Sequence, residues 1–161
     1  MADRNPWLMT DERMGERLWA ALRRLPPGSG VVVRHRSLPA AERRALLRRI
    51  RRIAQARRLT VSAAGLWGAQ HGGRTPFTAA AHDRREAIAA ARAGARYLFV
   101  SPIYPTRSHP GAPALGPRKA ATVARGLGVD IIALGGMDAR RWRRLRHLGF
   151  TGWAGIDALT P

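Results

Sequence analysis

Short apolar runs alternate with amphipathic stretches along nearly the whole chain. Strand-like runs fall at 7–9, 31–33, 59–61, 66–67, 77–81, 97–100, 130–134 and 152–156, many of them rich in β-branched or aromatic residues. Helical patterns lie between most of them. Leu18, Leu22 and Leu25 recur at helical spacing after Asp11, until Pro26, Pro27 and Gly28 stop the pattern. From Ala40 to Arg57, Leu46, Leu47, Ile50, Ile53 and Ala54 share one face, while Arg43, Arg44, Arg48, Arg51 and Arg52 mostly fall elsewhere. Further helices are expected around 85–91, closed by Gly94, at 117–125, and at 139–148 with Asp138 as the cap. No helix fits between the runs at 59–61 and 66–67.

Strands alternating with helices imply βα units around a parallel sheet. Eight candidate strands predict an α/β fold, a compact, trimmed (β/α)8 TIM-type barrel with some helices shortened or missing. The 161 residues fall below the roughly 200 to 250 of most such barrels. Residues 1–161 are expected to make a single domain. With no helix after the eighth strand, one flank is expected to be open and covered by association into a homo-oligomer.

Composition narrows the partners. There is no Cys, which excludes disulfides and thiolate metal sites, and no apolar N-terminal leader pattern, so a cytoplasmic location is expected. No apolar run approaches the length of a membrane span. The formal net charge is +19, and Lys119 is the sole lysine among 29 basic residues. Such a field attracts anions, but arginines spread over several helices read first as solvated outer faces. Aromatics make up only 6%, too few for base-stacking platforms, so nucleic acid is not an expected partner beyond nonspecific attraction. The five tryptophans read as core, with Trp153 and Tyr104 the two expected near the barrel mouth.

Two steps stand where such barrels commonly hold a phosphate, after strands seven and eight. They are Gly135-Gly136 and Gly155-Ile156-Asp157. A glycine pair lets an anion approach the backbone without a Cβ in the way, although it serves equally well as a plain turn. His82, at the end of the fifth candidate strand, is suited to moving a proton near neutral pH. Local hydrogen bonding at a helix start is its competing role.

The run "GARYLFVSPIYPTRSHPGAPALGPRKAATVARGLGVDIIALGGMDARRWRRLRHLGFTGWAGI" resembles the C-terminal part of thiamine phosphate synthases and the related thiazole tautomerases of the TenI type. The most specific features are the Pro-Ile-aromatic-Pro-Thr loop, the Leu115-Gly116 step and the Gly-Gly after strand seven. Upstream, "HDRREAIAAARAGA" resembles the family's His-containing helix start, and "VVVRHRSL" a changed form of its basic strand-two motif.

The resemblance implies a barrel that binds thiazole phosphate through Gly135, Gly136, Gly155, Ile156 and Asp157. In a synthase it further implies hydroxymethylpyrimidine pyrophosphate as co-substrate, Mg as cofactor, and pyrophosphate contacts at Arg34, Arg36, Thr106, Ser108 and His109. Departures accompany these matches. The family's Gln in the strand-two motif is Val32, its Asn-Asp pair on strand three is Ser62-Ala63, its Lys in the Pro-Thr loop is His109, and its Ser two before the His is Ala80. The second magnesium carboxylate has no counterpart among Gln70, His71 and Gly72, so the usual ligands of the metal are not found. Three readings stay open: a synthase with rearranged pyrophosphate contacts, a tautomerase using His82, or a phosphate-ligand binder without catalysis.

Overall fold

Every strand of the sheet runs parallel to its neighbours, and the order is β3-β2-β1-β7-β6-β5-β4. The computed structural model describes residues 5–65, 70–107, 110–111 and 113–161. The strands are β1 (Trp7–Met9), β2 (Gly30–Val33), β3 (Thr60–Ala63), β4 (Thr78–Ala81), β5 (Tyr97–Val100), β6 (Asp130–Ala133) and β7 (Gly152–Gly155). The helices are α1 (Arg17–Arg24), α2 (Ala40–Arg57), α3 (Arg84–Arg92), α4 (Pro117–Val123) and α5 (Ala139–Leu145). The strand expected at 66–67 lies outside the described residues. Pairing between β3 and β4 is instead carried by single bridges, Ala63 to Gln70 and His71 to Thr78. The His71 amide donates to the Ala63 carbonyl at 3.0 Å, and the Gly72 amide to the Thr78 carbonyl at 2.7 Å. These few residues bring the sheet round to a nearly closed barrel.

Alternation along the strands separates an inner from an outer layer. Trp7, Met9, Val32, Phe99, Ile132 and Ala154 fill the lumen. Trp7 packs on Tyr97 at 4.8 Å and meets Phe99 edge-on at 5.4 Å between centroids. Its ring explains Gly30, where a Cβ would lie 2.0 Å from the indole. Outside, Leu18, Leu22, Leu47 and Ile50 seat α1 and α2 on β1 to β3, while a second layer seats α3 to α5 on β4 to β7. Trp153 belongs to that second layer and not to the mouth, because its neighbour Ala154 takes the inward position. Trp7, Trp19 and Trp142 are likewise buried.

Helix ends follow local chemistry. Asp83 caps α3 by accepting the Glu86 amide at 2.8 Å, and the Glu86 carboxylate accepts the His82 amide at 2.8 Å in return. Asp138 caps α5 by accepting the Arg141 amide at 2.7 Å. The helix expected over 139–148 stops at Leu145, continuing as a 3₁₀ turn over Arg146–Leu148. The stretch after Asp11 likewise divides into a 3₁₀ turn, Glu12–Met14, and α1, because Gly15 turns at φ +50°. No helix among the described residues is long and apolar enough to cross a membrane.

Candidate functional site

The C-terminal ends of β6 and β7 open onto one cavity of about 280 Å³. Gly135, Gly136, Gly155, Ile156 and Asp157 line it, and Thr106 does so from the loop after β5. Six residues marked in the sequence therefore share one surface. Ser108 and His109 lie outside the described residues.

The cup is shaped by close backbone packing. Gly135 and Gly136 have φ of +92° and +62°. A Cβ on Gly135 would lie 2.7 Å from the Pro102 Cα, and one on Gly136 would lie 2.6 Å from the Pro105 carbonyl oxygen. The β5 loop is tied to the pair by two amides, Ile103 donating to the Leu134 carbonyl at 2.9 Å and Tyr104 to the Gly135 carbonyl at 3.0 Å. Among the described residues no acceptor meets the amides of Gly135, Gly136 or Met137, which leaves these donors for an anion. At Gly155 a Cβ would meet only ordinary contacts, 3.5 Å from the Met137 carbonyl oxygen, so internal packing does not demand glycine there.

Two cavity arginines went unmarked in the sequence. Arg141 donates to the Gly136 carbonyl, and its guanidinium stacks over Tyr104, 4.6 Å from the ring centroid. Its signal was available, because it sits three residues after the cap of the helix that begins at the cup. Arg107 stands 3.9 Å from Asp157 at an exposed position, where the pair adds little stability but keeps a cation on the rim.

His82 is linked to this cup through the β5 loop. Its Nδ1 donates to the Ser101 carbonyl at 2.8 Å, so in the neutral ring Nε2 carries the lone pair. Ser101 immediately precedes Pro102, the residue packed against Gly135.

Arg34 and Arg36 follow β2. Arg34 is half-buried, its backbone amide bonded to Thr10 Oγ1 at 3.1 Å and its Nε to the Thr10 carbonyl at 3.1 Å. Burial pulls the guanidinium below its ordinary pKa range, partly offset by Asp11, whose Oδ2 is 3.6 Å from Nη2. Arg36 is exposed. His35 between them turns the other way, buried against Thr10 Oγ1 at 3.0 Å.

Inside the barrel, Ser62 and Thr78 share a 2.6 Å hydrogen bond, and His71 Nδ1 meets Thr78 Oγ1 at 2.9 Å. Burial, with the charges of Arg36 and Arg34, lowers the His71 pKa to about 4, so its ring is neutral near pH 7. Ala80, one inward position above Thr78, is exposed, so solvent reaches into the barrel at that height.

The donor set does not fit a magnesium ion, which wants several oxygen ligands in near-octahedral array. Asp11 accepts Arg13 Nε at 2.7 Å and its amide at 3.0 Å, and this bond leads in holding its carboxyl below the ordinary range. Glu12 accepts the Ser37 amide and hydroxyl, Asp83 and Asp138 cap helices, and Asp157 faces Arg107. Among the described residues, no three His, Asp or Glu side chains gather closely enough to hold a metal.

The fold is a parallel (β/α) barrel whose last two strands end in a glycine-lined cavity, the place where such barrels commonly bind phosphate. The sequence model described as thiamine monophosphate synthase matches residues 69–159, and the chain belongs to that family. It is 41% identical over 81 residues to a thiamine-phosphate synthase of Salinispora tropica, an alignment covering 50% of this chain and 39% of the relative. A thiamine-phosphate synthase of Geobacillus thermodenitrificans is also 41% identical over 81 residues, 49% of this chain and 37% of that one. The match thus spans under half the length of either relative. A solved thiamine phosphate pyrophosphorylase from Pyrococcus furiosus superposes with a TM-score of 0.80 over 96% of this chain and 86% of that one. At 18% identity, that likeness establishes the fold alone.

Proposed function

We propose that the chain acts in thiamine biosynthesis by joining hydroxymethylpyrimidine pyrophosphate to thiazole phosphate. The observation that carries this reading is the convergence of Gly135, Gly136, Gly155, Ile156, Asp157 and Thr106 on one cavity of phosphate-ester size. The glycine amides hold the thiazole phosphate, and Arg141 braces the loop by its bond to the Gly136 carbonyl. The thiazole nitrogen then bonds to the pyrimidine's exocyclic methylene carbon. The carbon–oxygen bond to pyrophosphate breaks, and pyrophosphate leaves with the bonding electron pair. Arg34 and Arg36 take up the charge that develops on it. The test is formation of thiamine phosphate by the purified chain from the two substrates, read as thiochrome fluorescence. Product above a heat-killed control supports the reading, and none sinks it.

A second reading rests on His82. With Nδ1 committed to Ser101 and Nε2 basic, the ring is arranged to carry a proton to and from a thiazole ring held in the same cup. Conversion of a thiazole phosphate tautomer without added pyrimidine distinguishes this activity from the first.

A further inference from the structure

Charge at the C-terminal ends of β1 to β4 is arranged for an anion and against a divalent cation. Arg34 and Arg36 stand after β2, while Ser62 and Ala63 on β3 and Gln70, His71 and Gly72 beyond it supply no carboxylate. Asp11 lies beside Arg34, and Arg13 already engages it through three hydrogen bonds. Arg34 is fixed in place by Thr10, and among the described residues its Nη1 donates to no acceptor. Burial first, and then the fields of Arg36 and Arg34, keep the His71 ring neutral. Ala80 on β4 is exposed at the same end of the barrel.

We propose that this end of the barrel is an anion site that takes a diphosphate in its metal-free form, with Arg34 and Arg36 supplying the neutralising charge. Two guanidinium groups match the formal charge of one divalent ion and add directed donors, each able to engage two oxygens of a phosphate. A metal–diphosphate complex would bring its cation against these arginines, with Asp11 already engaged by Arg13 and Glu12 already engaged by Ser37 as the nearby acids among the described residues. The inference rests on the synthase-type reading for the origin of the diphosphate.

The experiment is calorimetric titration of inorganic pyrophosphate into the whole chain, once in EDTA and once with excess magnesium. Binding is expected in EDTA, and excess magnesium should weaken it about threefold or more by sequestering free pyrophosphate. In EDTA, Arg34→Gln and Arg36→Gln should each weaken binding about tenfold, with circular dichroism confirming that the variants are folded. Arg36 is exposed, so its variant keeps the test valid if Arg34→Gln fails to fold. The pair Arg48→Gln and Arg52→Gln, on the outer face of α2, should leave affinity within about twofold, given the screening of distant exposed charges. Tighter binding with magnesium overturns the proposal, as does an equal loss in the outer-face variant, which would mean diffuse attraction by the net charge. Thiazole phosphate titrated into the same preparation separates the sites. If it binds and pyrophosphate does not, this anion site alone is wrong; if neither binds, the cup reading falls with it.

Discussion

The carbonyl of Ser101 holds Nδ1 of His82 at 2.8 Å, and the next residue along, Pro102, lies against the glycine at which the cup begins. His82 and the glycine-lined cup, the proposed proton carrier and phosphate site, are therefore positioned by one loop.

His82→Ala should abolish any tautomerase turnover while leaving thiazole phosphate affinity within about twofold, since the cup does not use the imidazole. His82→Gln, which can still donate to Ser101 but cannot carry the proton, should be as inactive as the alanine variant. Steady-state turnover and calorimetric affinity, measured side by side, check this. Unchanged turnover would remove His82 from the mechanism.

Gly136→Val places a branched side chain at φ +62° and within 2.6 Å of the Pro105 carbonyl oxygen. Holding a residue with a Cβ there costs about 1 to 2 kcal/mol before any clash, and relief requires the loop to move away. Affinity for thiazole phosphate should fall about tenfold or more by calorimetry. Retained affinity would show that the phosphate sits elsewhere.

Gly30→Ala drives a methyl into the Trp7 ring and should destabilise the fold by about 1 to 3 kcal/mol in urea titrations. Combining it with Trp7→Leu should cost less than the sum of the two single changes, because the smaller side chain vacates the space. Strict additivity would mean that the indole does not fill the position over Gly30.

Acid should weaken the fold through His71. Its pKa of about 4 in the folded chain lies below the ordinary value near 6.5, so between these limits the unfolded chain binds the proton and the folded one does not. Stability is fully present above about pH 6.5 and falls as the pH drops toward 4, by up to about 3 kcal/mol. His71→Asn should flatten that slope in urea unfolding between pH 7 and 5. An unchanged slope would place the acid sensitivity in another group.

The order of strands and helices was legible because each run carries its own period and its own stops. Asp83 and Asp138 read as caps for the same reason, since a cap is settled within four residues of sequence. That the two glycine-rich steps line one cavity was legible from their places in the strand order, which fix where they meet. What sequence could not give were contacts made across the barrel. The place of Arg141, three residues past the Asp138 cap, was readable, but not that its guanidinium turns back to the Gly136 carbonyl. The inward side of His71 depends on pairing with Ala63 and Thr78, and Trp153 was misplaced because a two-residue period fixes alternation but not which face turns in.

Among the described residues, each neighbouring pair in the sheet is joined by two to four residues in register, except where Gln70 and His71 stand between β3 and β4 with one bridge on either side. Among the described residues, this junction is held by backbone hydrogen bonds to and from Gln70, His71 and Gly72 and not by a continuous ladder. This junction lies beside Ser62 and Thr78, whose hydroxyls share a hydrogen bond. Among the described residues, closure of the barrel therefore rests on Gln70 and His71, so a change at either bears on the whole ring.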